Sequence, residues 1–502
     1  MYVTIPKNVR YSLGPLGRLL IIIGVIILLP ILVGLYYSEW WYRGNICYLG
    51  YIIPSILAIG IGSILEWKFE VKELNLVQGL FLTGFAWIVI SLFCSLPFIM
   101  IQDMTILNAY FEAVSGFTTT GITMITNLDP LPHSLLFFRA LIQWIGGLGI
   151  ITFFIYIGMK GISEHILYRG ESHKIKSSRP VPNLMKTIKY YWLIYGGFTA
   201  ALIILLWLQG TTLFDAISHG FTTLSTGGFS PHNESISYFG MHPEQFPNYK
   251  LIEYTITIFM ILGGTNFVIH YRVLRGKIRN LWNNIEMKMW WGILGLSTFL
   301  IMFEVYQTGA FESLESLFRK TIFQVTSVAT TTGFETEWIG PVQSGYFKAL
   351  AKQIFLMLMV IGGCVSSTGG GIKVRRVGIM LKGIWNRVKR SSRPKEMMTP
   401  LMIDGEKVGR TELERVFIIF VSWVFLLLIG GFITAIFSNY GPLQSFSGMF
   451  SALGNIGPSY LTVSEMASLN PIVKILYTFA MLIGRLEILP IFILLNLEVW
   501  KT

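Results

Sequence analysis

Charged residues are scarce in this sequence. Asp, Glu, Lys and Arg make up 13% of its 502 residues, against roughly 25% in a soluble globular protein. Hydrophobic residues account for 53%, and the mean hydropathy is +0.60. Such a chain cannot cover a water-facing surface. That excludes a soluble enzyme, a nucleic-acid-binding domain and a disordered protein, and leaves a polytopic membrane protein. Acidic residues are fewer than basic ones, 27 against 39, for a net charge of +12. The positive charge sits in connectors between apolar segments, where the positive-inside rule places it, so nucleic acid is not indicated as a partner. There are only three cysteines, Cys47, Cys94 and Cys364, none in a CxxC pair. A disulfide framework and a zinc site are therefore not indicated. No GxxxxGK[ST] occurs, so the chain is not itself a P-loop ATPase. HExxH, a Ser/His/Asp pattern and an intramembrane Asp pair are also missing, and the seven histidines are scattered.

Long apolar runs are present in quantity. A bilayer core of about 30 Å needs roughly 20 apolar residues per helix. The first run, from about Leu13 to Tyr36, is too long for a signal h-region and is expected to be a retained helix. A second follows from about Ile46 to Leu65. Then a pattern repeats four times: a long apolar segment, a short Gly/Thr-rich stretch, another long segment. The long segments fall near 75–100 and 134–159, 186–208 and 250–271, 289–306 and 346–361, and 413–437 and 471–497. The connectors 160–190, 271–288 and 373–410 carry 23 Lys/Arg, whereas 101–133, 209–250, 307–348 and 438–470 carry 4. The basic side is expected to be cytoplasmic, so the four Gly/Thr-rich stretches face outward. Ten spans put both termini inside.

The four outward stretches resemble one another. They read VSGFTTTGI from Val114 to Ile122, GFTTLSTGGF from Gly220 to Phe229, SVATTTGF from Ser327 to Phe334, and SALGNIGP from Ser451 to Pro458. Each follows an amphipathic stretch too short to span, such as Leu107 to Val114 or Leu314 to Val325, which suits a re-entrant pore helix. Non-helical backbone at membrane depth must line a cavity or be buried in protein. Thr/Gly composition fits one use: a ring of backbone carbonyls that replaces the hydration shell of an alkali cation. Glycine permits the torsions that turn successive carbonyls toward one axis. Each pore helix aims its negative C-terminal end at that axis. A ring needs four contributors, and one chain supplies them at spacings of 107, 105 and 124 residues.

With these repeats, the sequence resembles the Trk/Ktr/HKT superfamily of potassium transporters, over about residues 10–500. Gln143 to Gly149 (QWIGGLG), Leu262 to Phe267 (LGGTNF), Gly369 to Lys373 (GGGIK) and Gly484 to Glu487 (GRLE) are similar to motifs of the family's four repeats. Two extra N-terminal helices point to the TrkH/TrkG branch. The resemblance implies an all-α polytopic membrane protein, with four helix–re-entrant pore loop–helix repeats around one central pore, plus two N-terminal transmembrane helices. The implied units are residues 1–70 (the two extra helices), 71–165, 180–276, 285–395 and 405–502 (pore repeats 1 to 4). It also implies filter residues in each loop. The first loop contributes Thr119, Thr120, Gly121 and Ile122, and the second Thr226, Gly227, Gly228 and Phe229. The third contributes Thr331, Thr332, Gly333 and Phe334, and the fourth Asn455, Ile456, Gly457 and Pro458. In the family, Ser in place of the first-loop glycine goes with sodium permeation, so Gly121 favours K+ as the ion transported and bound. The fourth loop departs from the family's usual Gly-Pro-Gly, with Ser459 at its last position and no Thr.

Five glycines lie within the ten residues from Gly362 to Gly371. In a helix interior each costs about 1 kcal/mol relative to Ala, so this segment is expected to be unwound near mid-membrane. The resemblance makes Gly362, Gly363, Ser366, Ser367, Thr368, Gly369, Gly370 and Gly371 a gating loop; a close-packing glycine patch is the alternative. Arg485 is implied to project toward that loop as a barrier to cations, against pairing with Glu487 or snorkelling to the membrane edge. The basic run from Lys373 through Arg375, Arg376, Lys382, Arg387, Lys389, Arg390 and Arg393 to Lys395 suits attraction to anionic membrane lipid. By resemblance it also suits docking of a cytosolic TrkA-like nucleotide-binding regulatory ring. Asp103, Glu112, Asp129, Asp215 and Glu312 are expected on the outer side, either raising the local cation concentration or serving as ordinary surface or capping groups. The implied protein is not an enzyme. It is a homodimer in the bacterial plasma (inner) membrane, with both termini cytoplasmic. A proton- or sodium-coupled symporter and, less in keeping with the motifs, a membrane-embedded transferase are the alternatives.

Overall fold

The computed structural model describes residues 6–69, 74–149, 152, 184–340, 345–391, 400–486, 488–496 and 498–500. It is helical throughout, apart from three two-stranded pairings of two residues each. Among the described residues, six helices are long and apolar enough to cross a membrane. Two belong to the N-terminal pair, Lys7–Ile27 continued by Leu29–Tyr36, and Leu49–Lys68. These two pack closely because small residues face each other. A Cβ on Gly17 would lie 2.5 Å from the Gly62 carbonyl oxygen, and one on Gly62 would lie 2.6 Å from that of Gly17. At the same end Arg18 donates to Glu66 at 2.6 Å.

The other four long helices are Leu76–Gln102, Leu184–Leu208, Ile285–Thr308 and Arg410–Ile436, each opening one helix–loop–helix unit. A short helix follows each: Ile106–Phe117, Leu213–Leu224, Leu314–Ala329 and Pro442–Gly454. The starts are set by local chemistry. Thr105, Thr212 and Ser313 accept from the backbone amides of Asn108, Asp215 and Ser316, and the fourth helix starts on Pro442. At 12 to 16 residues these helices reach only part-way through a bilayer core. They are re-entrant.

The second helices end earlier than the apolar runs suggest. They are His133–Gly147, Tyr249–Gly264, Ala349–Val360 and Pro471–Leu486. The first three end after 12 to 16 residues, and the fourth is described as far as Leu486. In the second unit the chain restarts as Phe267–Leu274 after a bend of 104°. In the third, residues 361–373 are non-helical, and Ile361–Gly362 pairs in parallel with Ile372–Lys373 to close a loop. The expected continuous span 250–271 is thus corrected to a broken helix. Glycine and polar residues at the breaks (Gly263, Gly264, Thr265 and Asn266 in the second unit) free backbone groups that the neighbouring loops then use. The first unit beyond Gly149 lies outside the described residues, except for Thr152.

Two buried arginines join successive units. Arg139, on the second helix of the first unit, donates to Glu112 at 3.0 Å, and both are fully buried. The Arg139 guanidinium also stacks over Phe229 at 4.1 Å and donates to the Ser230 carbonyl at 3.1 Å, both from the second unit. Arg319 of the third unit pairs with Glu253 of the second and with Glu315. Cys47, Cys94 and Cys364 are free and buried.

Candidate ion filter and gate

The four re-entrant helices run into four loops of common backbone shape. Thr119, Thr226, Thr331 and Asn455 take left-handed torsions, with φ of 53°, 53°, 60° and 53°. Two residues later, Gly121, Gly228, Gly333 and Gly457 do the same at 82°, 74°, 87° and 105°. A β-branched residue in this region is an outlier, and three threonines share it. Strain of this kind persists only where the surroundings enforce it. Asn, which tolerates the left-handed region, is the substitute the fourth loop uses.

The amides between these positions point back into the helices. Thr120 N–H donates to the Ser115 carbonyl at 2.9 Å, Gly227 to Thr222 at 2.8 Å, Thr332 to Ser327 at 2.9 Å, and Ile456 to Ser451 at 3.1 Å. With donors tied behind, the carbonyls are left for the space between the loops. The loops close into a ring in chain order. A Cβ on Gly121 would overlap the Gly227 carbonyl oxygen, one on Gly228 that of Thr332, and one on Gly333 that of Ile456. A Cβ on Gly457 would come within 2.9 Å of the Thr120 oxygen. Each glycine is thus required twice, by its torsion and by the neighbouring loop's carbonyl. The fourth loop, which lacks Thr, keeps the same backbone. Its Asn455 amide donates to Thr120 Oγ1 and to the Met481 carbonyl, both at 2.9 Å, tying the last loop to the first.

Above the ring is a vestibule of about 130 Å³, lined by all four glycines together with Ile122, Phe229 and Pro458. Phe334, grouped with these by sequence, is fully buried and packs in the core. Four of the five outer acids are engaged elsewhere, and Glu312 is exposed away from the vestibule lining. Glu112 holds Arg139, Thr123 and the Met124 amide. Asp215 pairs with His232 at 2.9 Å, Asp129 accepts from Asn233 at 2.6 Å, and Asp103 accepts from Asn45 at 3.2 Å. The carboxylate-bearing residue that does line the vestibule is Glu335, missed in the sequence reading although it directly follows Phe334. Burial pushes its carboxyl up to about 8.

On the other side of the ring lies the glycine-rich loop. Gly370 N–H donates to Thr331 Oγ1 at 2.8 Å, and the Thr368 and Thr226 hydroxyls are 3.2 Å apart. A Cβ on Gly369 would lie 2.8 Å from the Thr330 carbonyl oxygen, so the loop presses on the filter from below. Gly371 takes a left-handed φ of 64°, and a Cβ on Gly362 would overlap the Gly370 carbonyl. Gly363 contacts Gly264 at the second unit's break, where Cys364 N–H donates to the Gly264 carbonyl at 2.9 Å. Ser366 accepts from Phe267 N–H through its carbonyl, and Ser367 caps the turn on the Cys364 carbonyl at 2.6 Å. The Val365 amide donates to Glu286 at 2.6 Å, and Glu286 also accepts from Asn266 at 3.0 Å. Arg485 donates to the Thr368 carbonyl and, from its other nitrogen, to the carbonyls of Gly146 (2.6 Å) and Gly147. It bridges the loop to the break of the first unit. Glu487, its alternative partner, lies outside the described residues, as do Arg393 and Lys395. Lys373 lies in the short strand Ile372–Lys373, and the rest of the basic run lies on the helix Val374–Ser391, whose exposed Leu381, Ile384, Trp385 and Val388 suit a membrane surface.

A membrane-embedded ring of carbonyls, fed by four helix ends and underlain by a strapped loop, defines a cation-translocating membrane protein rather than an enzyme. Comparison with known proteins agrees. Residues 51–499 match the TrkH family, described as cation transport proteins, and the chain belongs to that family. It is 32% identical over 493 residues to the Trk system potassium uptake protein TrkH of Salmonella typhimurium, covering 97% of this chain and 98% of that protein. It is 30% identical over 512 residues to the Trk system potassium uptake protein TrkG of Escherichia coli, covering 99% of each. The crystal structure of the potassium transporter TrkH from Vibrio parahaemolyticus superposes with a TM-score of 0.84 at 27% identity, over 98% of this chain and 99% of that one.

Proposed function

We propose that this protein takes up K+ across the bacterial plasma membrane through a filter made by four loops of one chain. The observation that carries the reading is the closed ring in which each filter glycine meets the next loop's carbonyl. In that reading, Thr119 to Ile122, Thr226 to Phe229, Thr331 to Phe334 and Asn455 to Pro458 form the ion path, with residues 71–165, 180–276, 285–395 and 405–502 as its four repeats. A K+ ion leaves water for backbone oxygens fixed at its own radius, and the helix ends lower the cost of its charge in the bilayer. The loop from Gly362 to Gly371 is the gate, and Arg485 holds it shut by three carbonyl contacts while placing a positive charge below the filter. The carbonyls of two other units are held by the same guanidinium, so opening requires repeats 1, 3 and 4 to separate.

The basic helix Val374–Ser391 lies on the cytoplasmic side, where it meets anionic lipid and a TrkA-like nucleotide-binding ring that pulls on the gate. The chain works as a homodimer with one pore per chain and both termini inside. Expression in a bacterial strain lacking its own K+ uptake tests the reading. Growth at limiting K+, dependent on co-expression of the ring and lost on mutating the filter glycines, is the expected result. Absence of rescue by a well-expressed chain with its ring would refute it.

A further inference from the structure

Three of the four second helices carry a glycine that packs on the carbonyl of the penultimate or last turn of their own re-entrant helix. A Cβ on Gly146 would overlap the Phe117 oxygen, one on Gly484 would overlap that of Leu453, and one on Gly263 would lie 3.1 Å from that of Leu224. These contacts align the helices independently of sequence. Three residues earlier, and fully buried in each, stand Gln143, Met260 and Met481. Two are thioethers that donate no hydrogen bond; the first is an amide.

That amide clamps the neighbouring filter loop. Gln143 Nε2 donates to the Gly227 carbonyl at 2.6 Å, and Phe229 N–H donates to Gln143 Oε1 at 3.1 Å. The orientation is not arbitrary: turning the amide over would set oxygen against oxygen and N–H against N–H. The Gly227 carbonyl belongs to the ring level shared with Thr120, Thr332 and Ile456. Among the described residues, those three carbonyls accept no hydrogen bond from the protein, so Gly227 alone is tethered.

We propose that Gln143 is a specificity-determining residue, which holds the Gly227 carbonyl at a fixed reach so that this level of the filter cannot close around an ion smaller than K+. The proposal rests on the filter reading above. A free carbonyl follows a small cation inward, whereas one held from the side by a 2.6 Å bond does not. The clamp also makes the ring unequal: three carbonyls present full lone pairs and one shares its own. A donor at this single position, contributed across the boundary between the first and second units, is what the two methionines cannot supply.

The test uses the full chain in liposomes, with K+ and Na+ influx read separately. Gln143→Met installs the residue of the other two helices at nearly constant volume. Gln143→Glu keeps the acceptor for Phe229 N–H and, when ionised, replaces the donor to Gly227 with a negatively charged acceptor. Both variants are expected to raise the Na+/K+ flux ratio at least threefold while K+ flux persists. A merely structural role would lower both fluxes together and leave the ratio alone. An unchanged ratio in whichever variant is recovered at wild-type yield overturns the proposal. If the unmodified protein itself fails to discriminate K+ from Na+, the filter reading falls first; if it discriminates and the variants do too, only the role of Gln143 falls.

Discussion

The backbone amide of Gly370 donates to the hydroxyl of Thr331 across 2.8 Å, which joins the intramembrane loop directly to the filter. The same loop is reached from the opposite side by Arg485, through the Thr368 carbonyl. Filter and loop are therefore one hydrogen-bonded assembly, and a displacement of the loop removes contacts from the ring's lower end. In the proposed reading, opening and selectivity are therefore linked.

Replacing Arg485 with Gln removes the charge and most of the strap. Hydrogen bonds to charged groups contribute about 1.5–3 kcal/mol each. Losing even one net unit of that bias shifts the closed–open balance by roughly tenfold. Ion leak without the cytosolic ring should rise by about that factor, measured as K+ efflux from loaded liposomes. A leak equal to wild type would mean the strap does not hold the gate.

Gly121→Ser places a side chain where the Gly227 carbonyl now sits, at a φ of 82°. The ring must widen or tilt at that level. Discrimination against Na+ should fall roughly tenfold, a loss of about 1.4 kcal/mol, read as the K+/Na+ flux ratio. The same substitution at Gly44, a turn with φ of 81° and open space around it, should leave the ratio unchanged.

Arg139→Met leaves Glu112 buried among apolar neighbours without its partner. Breaking a buried pair this way costs about 3–5 kcal/mol. The detergent-solubilised protein should melt at a clearly lower temperature. Adding Glu112→Gln should recover much of the loss, because the uncompensated charge is gone. A single variant that melts like wild type would show that the pair contributes little to stability.

Glu335 gives the vestibule a pH dependence. Its carboxyl ordinarily titrates near 4.5, and burial raises it to about 8. Below that pH it is neutral; it ionises as external pH rises through about 8. The negative charge then sits beside the ring and attracts the entering cation, an effect worth roughly threefold to tenfold in affinity over such distances in a partly solvated site. The half-saturation concentration for K+ should fall between external pH 7 and 9, and Glu335→Gln should abolish that fall. A pH profile that the substitution does not alter would remove Glu335 from the ion path.

Much of this was legible in the sequence, for identifiable reasons. The long first helices are continuous apolar runs, so Leu76–Gln102 and Arg410–Ile436 fall within a few residues of the expected segments. The four loop glycines stood out because the torsion they supply leaves a residue-type signature, repeated four times. The fourth loop shows the limit: without Thr it looks different, yet Asn455 keeps the backbone at φ 53° and uses its amide to hold Thr120. Broken second helices were harder to see, since an apolar run does not say where its hydrogen bonds stop. Roles set by contacts between distant residues were invisible. Nothing in the sequence ties Glu112 to Arg139, frees Glu335 for the vestibule, or aims Gln143 at Gly227.

Four loops of this chain are proposed to form a K+-selective ring. Flux of K+, Rb+ and Na+ into liposomes containing the purified chain tests it most directly, with the cytosolic ring and nucleotide added to open the gate. K+ and Rb+ should enter well ahead of Na+, and Ala at Gly121, Gly228, Gly333 or Gly457 should erase the difference. Equal entry of all three ions through the unmodified, opened protein would contradict it.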